Sequence, residues 1–304
     1  MRIVFMGTPA FAAVCLEAVL ETEHEVVGVY TKVDTPKNRG MKLIPSEVKK
    51  LALERGLPVF QPTTFKDDAV FEELQSLAPE LIVVVAYGKI LPQRVLDLPK
   101  LGCVNIHGSL LPALRGSAPV QWAVLNDLPE TGVTAMYMSR GVDEGDIIDT
   151  ARTPVSPDET AGELMERLSF LGASLLKKTI DSIARGTATR TPQDGSLASF
   201  APMLSKEMSP IDWTQSTRRI LAQIRGLDPW PIASAQLGGT EFKIYRAEAF
   251  PAPESSEPGR LLELNKRGLA VATGDGAILI TRLQAAGGKV MQAADYFRGH
   301  PICI

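Results

Sequence analysis

Leu81-Ile82-Val83-Val84-Val85-Ala86 is an unbroken apolar run rich in β-branched side chains, and Gly102-Cys103-Val104-Asn105-Ile106-His107 follows as a second short run that ends on polar groups. A strand without a polar face must be covered on both sides, as strands of parallel sheets are. Upstream, Arg2–Met6 is a strand stopped by Gly7, and Pro9 suits the first turn of a helix running to Leu20. Glu25–Tyr30 reads as a strand, Thr31–Pro45 as a long polar loop, Ser46–Glu54 as a helix, Pro58–Phe60 as a short strand and Asp67–Ser76 as a helix. Downstream, Gly132–Met138 and Asp146–Val155 are two further strands, and Thr160–Ala184 is a long helix with Leu164, Leu168, Leu171, Leu175 and Ile180 along one face. Strands alternating with helices imply right-handed βαβ units. The expected class is α/β: a Rossmann-like, open, mainly parallel sheet with helices on both faces.

Residues 186–210 lose this periodicity and collect Gly, Thr, Pro and Ser, so a linker is expected there. Beyond a short helix at Ser216–Arg225 come five strand-like segments, Ser234–Leu237, Glu241–Phe250, Gly259–Asn265, Gly268–Thr273 and Ala277–Leu283. They are separated by turns such as Gly238-Gly239 and Gly274-Asp275-Gly276, and they predict a small C-terminal β-barrel of the oligonucleotide-binding (OB-fold) kind or a half-open sandwich. The expected division is 1–187 as catalytic domain, 188–207 as linker and 208–304 as barrel. A chain of 304 residues is long enough for two cores.

Composition excludes several classes. No apolar run approaches the roughly 20 residues that span a bilayer, so no membrane association is expected. Gly7-Thr8-Pro9 breaks the apolar N-terminus early, so no cleaved leader is expected either. Cys15, Cys103 and Cys303 match no disulfide or metal spacing, and reduced thiols with no metal are expected. The net charge of −3 does not by itself point to nucleic acid. Residues 1–207 carry twenty-one Lys and Arg against twenty-six Asp and Glu, and residues 208–304 carry eleven against nine. Only local basic patches can support a nucleic-acid partner.

Asn105 and His107 lie two apart on a strand and therefore share one face. They stand at its carboxyl end, where open α/β sheets place ligands. Histidine exchanges a proton near neutral pH, and an amide can donate to a developing oxyanion. Asp143, in the loop Arg140–Asp146, is the candidate carboxylate to orient the imidazole. By spacing alone, a strand-end histidine capped by a backbone carbonyl, with Asn105 finishing a turn, stays open.

The continuation alters that balance. Asn105-Ile106-His107-Gly108-Ser109-Leu110-Leu111-Pro112-Ala113-Leu114-Arg115-Gly116-Ser117-Ala118-Pro119, with Asp143 in a later glycine-bearing loop, resembles the signature of the 10-formyltetrahydrofolate-dependent transformylases. The resemblance implies that Asn105, His107 and Asp143 are catalytic and that no metal takes part. It also implies the reaction: an acceptor amine attacks the formyl carbon on N10 of the folate. Asn105 and protonated His107 hold the tetrahedral oxyanion. A proton passes from the amine to the folate nitrogen through His107 or a water held by Asp143. Ser109, Leu110, Leu111 and Pro112 are expected along the folate, with Tyr87, Ile90, Leu91 and Arg140 around its pterin.

Two further segments resemble the branch of this family that acts on methionyl-tRNA. Lys32–Lys50 carries six Lys and Arg against Asp34 and Glu47. Within it, Asn38-Arg39-Gly40-Met41-Lys42-Leu43 is similar to the insertion that grips the acceptor arm, with Asn38 and Met41 departing from the usual Gly and Lys. The C-terminal part resembles that branch's tRNA-contacting barrel, including Ile211-Asp212-Trp213 and Asp228-Pro229-Trp230-Pro231. The resemblance thus implies initiator methionyl-tRNA as partner, gripped by the segment of Lys37, Arg39 and Lys42, and it fades after Phe297. By charge, Lys243, Arg246, Lys266, Arg267 and Lys289 are expected to form a basic track for the phosphate backbone. A monomer in the bacterial cytoplasm is expected. Two alternatives stand beside this reading: a formyltransferase for an amino-sugar nucleotide, and a non-catalytic nucleotide-binding regulator with a nucleic-acid barrel. Against the second, the turn Gly7-Thr8-Pro9-Ala10-Phe11-Ala12 has one glycine where a dinucleotide fingerprint needs three.

Overall fold

The computed structural model describes residues 1–37, 42–251 and 256–304. The first part of the chain runs β1 (Arg2–Gly7), α1 (Ala10–Leu20), β2 (Glu25–Tyr30), β3 (Thr35–Lys37), β4 (Lys42–Ile44), α2 (Glu47–Glu54), β5 (Val59–Phe60), α3 (Asp68–Ser76), β6 (Leu81–Val85), α4 (Gln93–Leu96), β7 (Cys103–His107), α5 (Pro119–Leu125), β8 (Glu130–Tyr137), β9 (Ile147–Pro154) and α6 (Ala161–Ala184). Seven strands form one sheet in the order β5-β2-β1-β6-β7-β8-β9. The ladders from β5 to β7 are parallel, and β8 joins β7 antiparallel. The Rossmann-like class is therefore observed, with the strand order reversing between β1 and β6.

Every residue of β6 is buried, as its unbroken apolar run requires. One face of the sheet packs Val4, Met6, Ile82, Val84 and Cys103 against Phe65, Leu74, Leu91 and Val95 from the α3 and α4 regions. On the opposite face α6 lies so close that a Cβ on Gly172 would stand 3.1 Å from Ile106 and 3.2 Å from Phe11. Helix starts are capped where the sequence offers short polar side chains: Ser46 accepts from the Lys49 amide at 3.0 Å and Asp67 from the Ala69 amide at 3.0 Å.

The expected polar loop Thr31–Pro45 is corrected in one respect: it contains the antiparallel pair β3–β4, with Thr35 opposite Ile44 and Lys37 opposite Lys42. Three-residue strands are too short for alternation to show, and Pro36 argues against a strand on sequence grounds. The short helices α4 and α5 also escaped the periodicity reading.

By contacts the chain divides into two compact units: Met1–Pro119, Thr131–Pro154 and Met165–Ala201, and then Val120–Glu130, Val155–Leu164 and Pro202–Ile304. The second unit contains α7 (Thr217–Gly226), β10 (Ala233–Leu237), β11 (Thr240–Phe250), β12 (Leu261–Leu264), β13 (Leu269–Ala272), β14 (Ala277–Ala285), β15 (Met291–Gln292) and α8 (Ala293–Gly299). Its strands form an antiparallel sheet in the order β10-β11-β14-β13-β12, with β15 beside β14. All five expected strands are present. Among the described residues the end strands β10 and β12 are not hydrogen-bonded to each other. Gly238 and Gly239 form the β10–β11 turn at φ values of 56° and 80°, the left-handed pair a two-residue hairpin needs. Phe297 of α8 is buried against Phe242, at 5.8 Å between ring centroids.

Candidate active site

Alternation along β7 puts Cys103, Asn105 and His107 on one face of the sheet. The Cys103 thiol lies under α4, with Sγ 3.7 Å from the Val95 carbonyl. Asn105 sits opposite Met136 and His107 opposite Thr134 on β8. The Asn105 amide is half-buried and has no hydrogen-bond partner among the described residues, so its N–H groups are free to donate.

The chain then folds back over the strand end. The Ser109 hydroxyl donates to the Ala113 carbonyl at 2.6 Å. Buried Thr134 donates to the Ser109 carbonyl at 2.7 Å and accepts from the Leu111 amide at 3.1 Å. The Leu111–Pro112 peptide is cis. Leu114 is left-handed, at φ 59°, and presents its carbonyl to His107 Nε2 at 3.0 Å. A carbonyl can only accept, so Nε2 carries hydrogen. His107 Nδ1 faces Asp143 Oδ2 at 3.6 Å, and the imidazole is 6% exposed. Asp143 Oδ2 also accepts from the Gly116 amide at 2.9 Å. The structure therefore brings Asn105, His107 and Asp143 to one place. The carbonyl cap that spacing left open is real, and it coexists with the carboxylate contact.

A cavity of about 510 Å³ is lined by Ile90, Leu91, Pro92, Gln93, Leu96 and Arg140. Three residues expected around the pterin, Ile90, Leu91 and Arg140, thus share one wall. Tyr87 does not join them: its ring is 1% exposed and lies in the core, 6.2 Å from Phe65. Its carbonyl accepts from the Thr8 hydroxyl at 3.1 Å. Ser109 and Leu111 are buried and shape the turn, whereas Leu110 and Pro112 are half-buried.

The expected tRNA residues divide. Arg39 lies outside the described residues, and Lys37 and Lys42 pair through their backbones in β3 and β4. Lys243, Lys266 and Lys289 are exposed and have no partner among the described residues. Arg246 is committed to Glu163 Oε1 at 2.6 Å and the Asp158 carbonyl at 3.1 Å, and Arg267 to Glu248. The five expected basic groups of the second unit therefore do not all present free charge. Sequence reasoning missed Thr134, whose position opposite His107 was the available signal, and Gln193, which sits in an aperiodic stretch with none.

Comparison with known proteins places this geometry. Residues 1–180 match the family described as formyl transferase, and residues 203–301 match the formyl transferase C-terminal domain. Among curated relatives, the methionyl-tRNA formyltransferase of Moorella thermoacetica is 47% identical over 302 residues, covering 99% of this chain and 97% of the relative. That of Alkaliphilus oremlandii is 44% identical over 302 residues, covering 99% and 97%. Among solved structures, an N-formyltransferase from Helicobacter canadensis with folinic acid and dTDP-3-aminofucose aligns at TM-score 0.70 and 20% identity, covering 92% of this chain and 98% of that one. HypX from Aquifex aeolicus with tetrahydrofolic acid aligns at TM-score 0.64 and 20% identity, covering 99% and 48%. At these identities the structures establish a shared fold.

Proposed function

This chain belongs to the formyl transferase family, and on that premise we propose that it transfers the formyl group of 10-formyltetrahydrofolate to the amino group of initiator methionyl-tRNA for translation initiation. The observation that carries the acceptor is the 44–47% identity to methionyl-tRNA formyltransferases along essentially the whole chain, through both family segments. A shared catalytic segment alone would not choose between acceptors.

The residues have distinct roles in this reading. Asn105 donates to the oxyanion that develops when the amine adds to the formyl carbon. His107 Nε2–H exchanges the Leu114 carbonyl for that oxygen and becomes its second donor, and the imidazole carries the proton that leaves the amine for N10 of the folate. Asp143 holds the imidazole in register. The cavity at Ile90, Leu91 and Arg140 takes the flat apolar part of the folate, and the turn Ser109–Pro112 lies along the rest of that molecule. The free lysines 243, 266 and 289, with Lys37, Arg39 and Lys42 of the basic segment, meet phosphates of the tRNA. A monomer in the bacterial cytoplasm completes the proposal. Among the described residues no helix is long and apolar enough to cross a membrane.

The test is a competition between acceptors. With 10-formyltetrahydrofolate as donor, initiator methionyl-tRNA is expected to be formylated in preference to elongator methionyl-tRNA, to free methionine and to a dTDP-linked amino sugar. Preferential formylation of the amino sugar would overturn the acceptor and leave the catalytic assignment standing.

A further inference from the structure

The stretch expected to be a plain linker is fastened along the catalytic turn. The Arg115 amide donates to the Ser199 carbonyl at 2.8 Å, and the Ala201 amide to the Arg115 carbonyl at 2.7 Å. The Leu114 amide donates to the Ser199 hydroxyl at 2.9 Å. At the head of this stretch, Gln193 uses its whole amide. Its Nε2 donates to the Asp143 carbonyl at 2.9 Å and to the Gly145 carbonyl at 2.8 Å. Its Oε1 accepts from Arg115 Nε at 3.2 Å and Nη2 at 2.8 Å. The Arg115 guanidinium is nearly fully buried, and its Nη1 also lies 3.5 Å from Glu144 Oε1.

These contacts close a ring around His107. Leu114 supplies the carbonyl at Nε2, and Gly116 supplies the amide that holds Asp143 Oδ2 beside Nδ1. Arg115 lies between them in sequence and carries Gln193, which returns to the backbone of Asp143. The bend it grips is constrained. Asp143 is left-handed, at φ 54°, and a Cβ on Gly145 would stand 1.7 Å from the Tyr137 carbonyl. Such a turn relaxes unless surrounding contacts over-determine it.

We infer that Gln193 is a positioning residue for formyl transfer: its amide pins the two carbonyls flanking Glu144 and thereby keeps the Asp143 carboxylate against His107 and the Gly116 amide. The inference rests on the role proposed for Asp143. Misplacing a catalytic group by about 1 Å costs on the order of a hundredfold in rate, so hydrogen bonds at one remove from the chemistry have kinetic weight.

Gln193→Glu separates this from a merely structural role. The carboxylate keeps the size and the contact with Arg115, but it removes both donors and sets an anion against two carbonyls. In the full-length protein, kcat is expected to fall about tenfold or more, with KM for both substrates within about twofold. Paired with Asp143→Asn, Gln193→Glu is expected to add less than about twofold, because both changes act through one carboxylate. Equal losses in the two backgrounds would overturn the inference. An arm independent of turnover follows the Gly116 amide by hydrogen exchange. Its exchange is expected to accelerate in Gln193→Glu, and unchanged protection there would overturn the inference even if the parent formylated a different acceptor.

Discussion

Thr134 shows how a single residue without chemistry of its own shapes the site. Its hydroxyl serves the Ser109 carbonyl and the Leu111 amide in a fully buried position. Thr134→Val keeps the shape and orphans two backbone groups, so a loss of about 1–3 kcal/mol in stability is expected, read as a lower denaturation midpoint together with reduced turnover. Arg39 belongs to the same scale by sequence alone. A guanidinium can stack on a base and bond phosphate at once, whereas an ammonium is a point charge. Arg39→Lys is therefore expected to lose most activity on initiator tRNA while folate affinity stays unchanged; parent-like kinetics would reduce Arg39 to one more surface charge. Asn105 and His107 were legible because period two on a strand fixes a shared face. Asp143 was a candidate from its glycine-bearing loop and the resemblance singled it out, but nothing in its spacing says that the Gly116 amide and Gln193 hold it. Tyr87 was expected at the pterin because an aromatic in an apolar stretch after a strand reads as a wall; its ring lies in the core.

At the level of elements, helix ends offer two clean tests. Helix α3 ends through Ala78, which is exposed and left-handed at φ 46°, the place where glycine costs least. Ala78→Gly is expected to raise stability by about 0.5–1 kcal/mol, seen as a higher denaturation midpoint. After α5, Asp127 accepts from Arg225 at 2.8 Å and from Arg218. Partial burial pushes its carboxyl upward, but the two guanidinium hydrogen bonds outweigh that and hold it below the usual value of 3.8. A depressed carboxyl stabilises the fold above its unfolded pKa and loses that contribution as pH falls through the folded one. Asp127 is also left-handed, at φ 48°, which asparagine tolerates. Asp127→Asn is thus expected to lower the melting temperature near neutral pH, with the gap to the parent closing below about pH 4. A gap independent of pH would place the effect elsewhere. Long or strongly patterned elements were readable. The pair β3–β4, the helices α4 and α5 and the C-terminal α8 were not, because a few residues carry too little periodicity.

At the scale of the whole molecule, two architectures were visible as a change from βα alternation to closely spaced strands. Their interleaving was not visible, because contacts assign 120–130 and 155–164 to the second unit and 165–201 to the first. Within that second unit Leu125 crowds Gly226 and Asp127 holds two arginines of α7. A chain cut near residue 187 would strip these partners, so the decisive assay uses the full-length protein. The measurement is single-turnover transfer of labelled formyl from 10-formyltetrahydrofolate to initiator methionyl-tRNA by the parent, Asn105→Ala and His107→Ala, with tRNA binding measured alongside. The account predicts transfer by the parent and a loss of about 10²–10⁴-fold in each variant at unchanged tRNA affinity. Folded variants that transfer formyl at the parent's rate would contradict it.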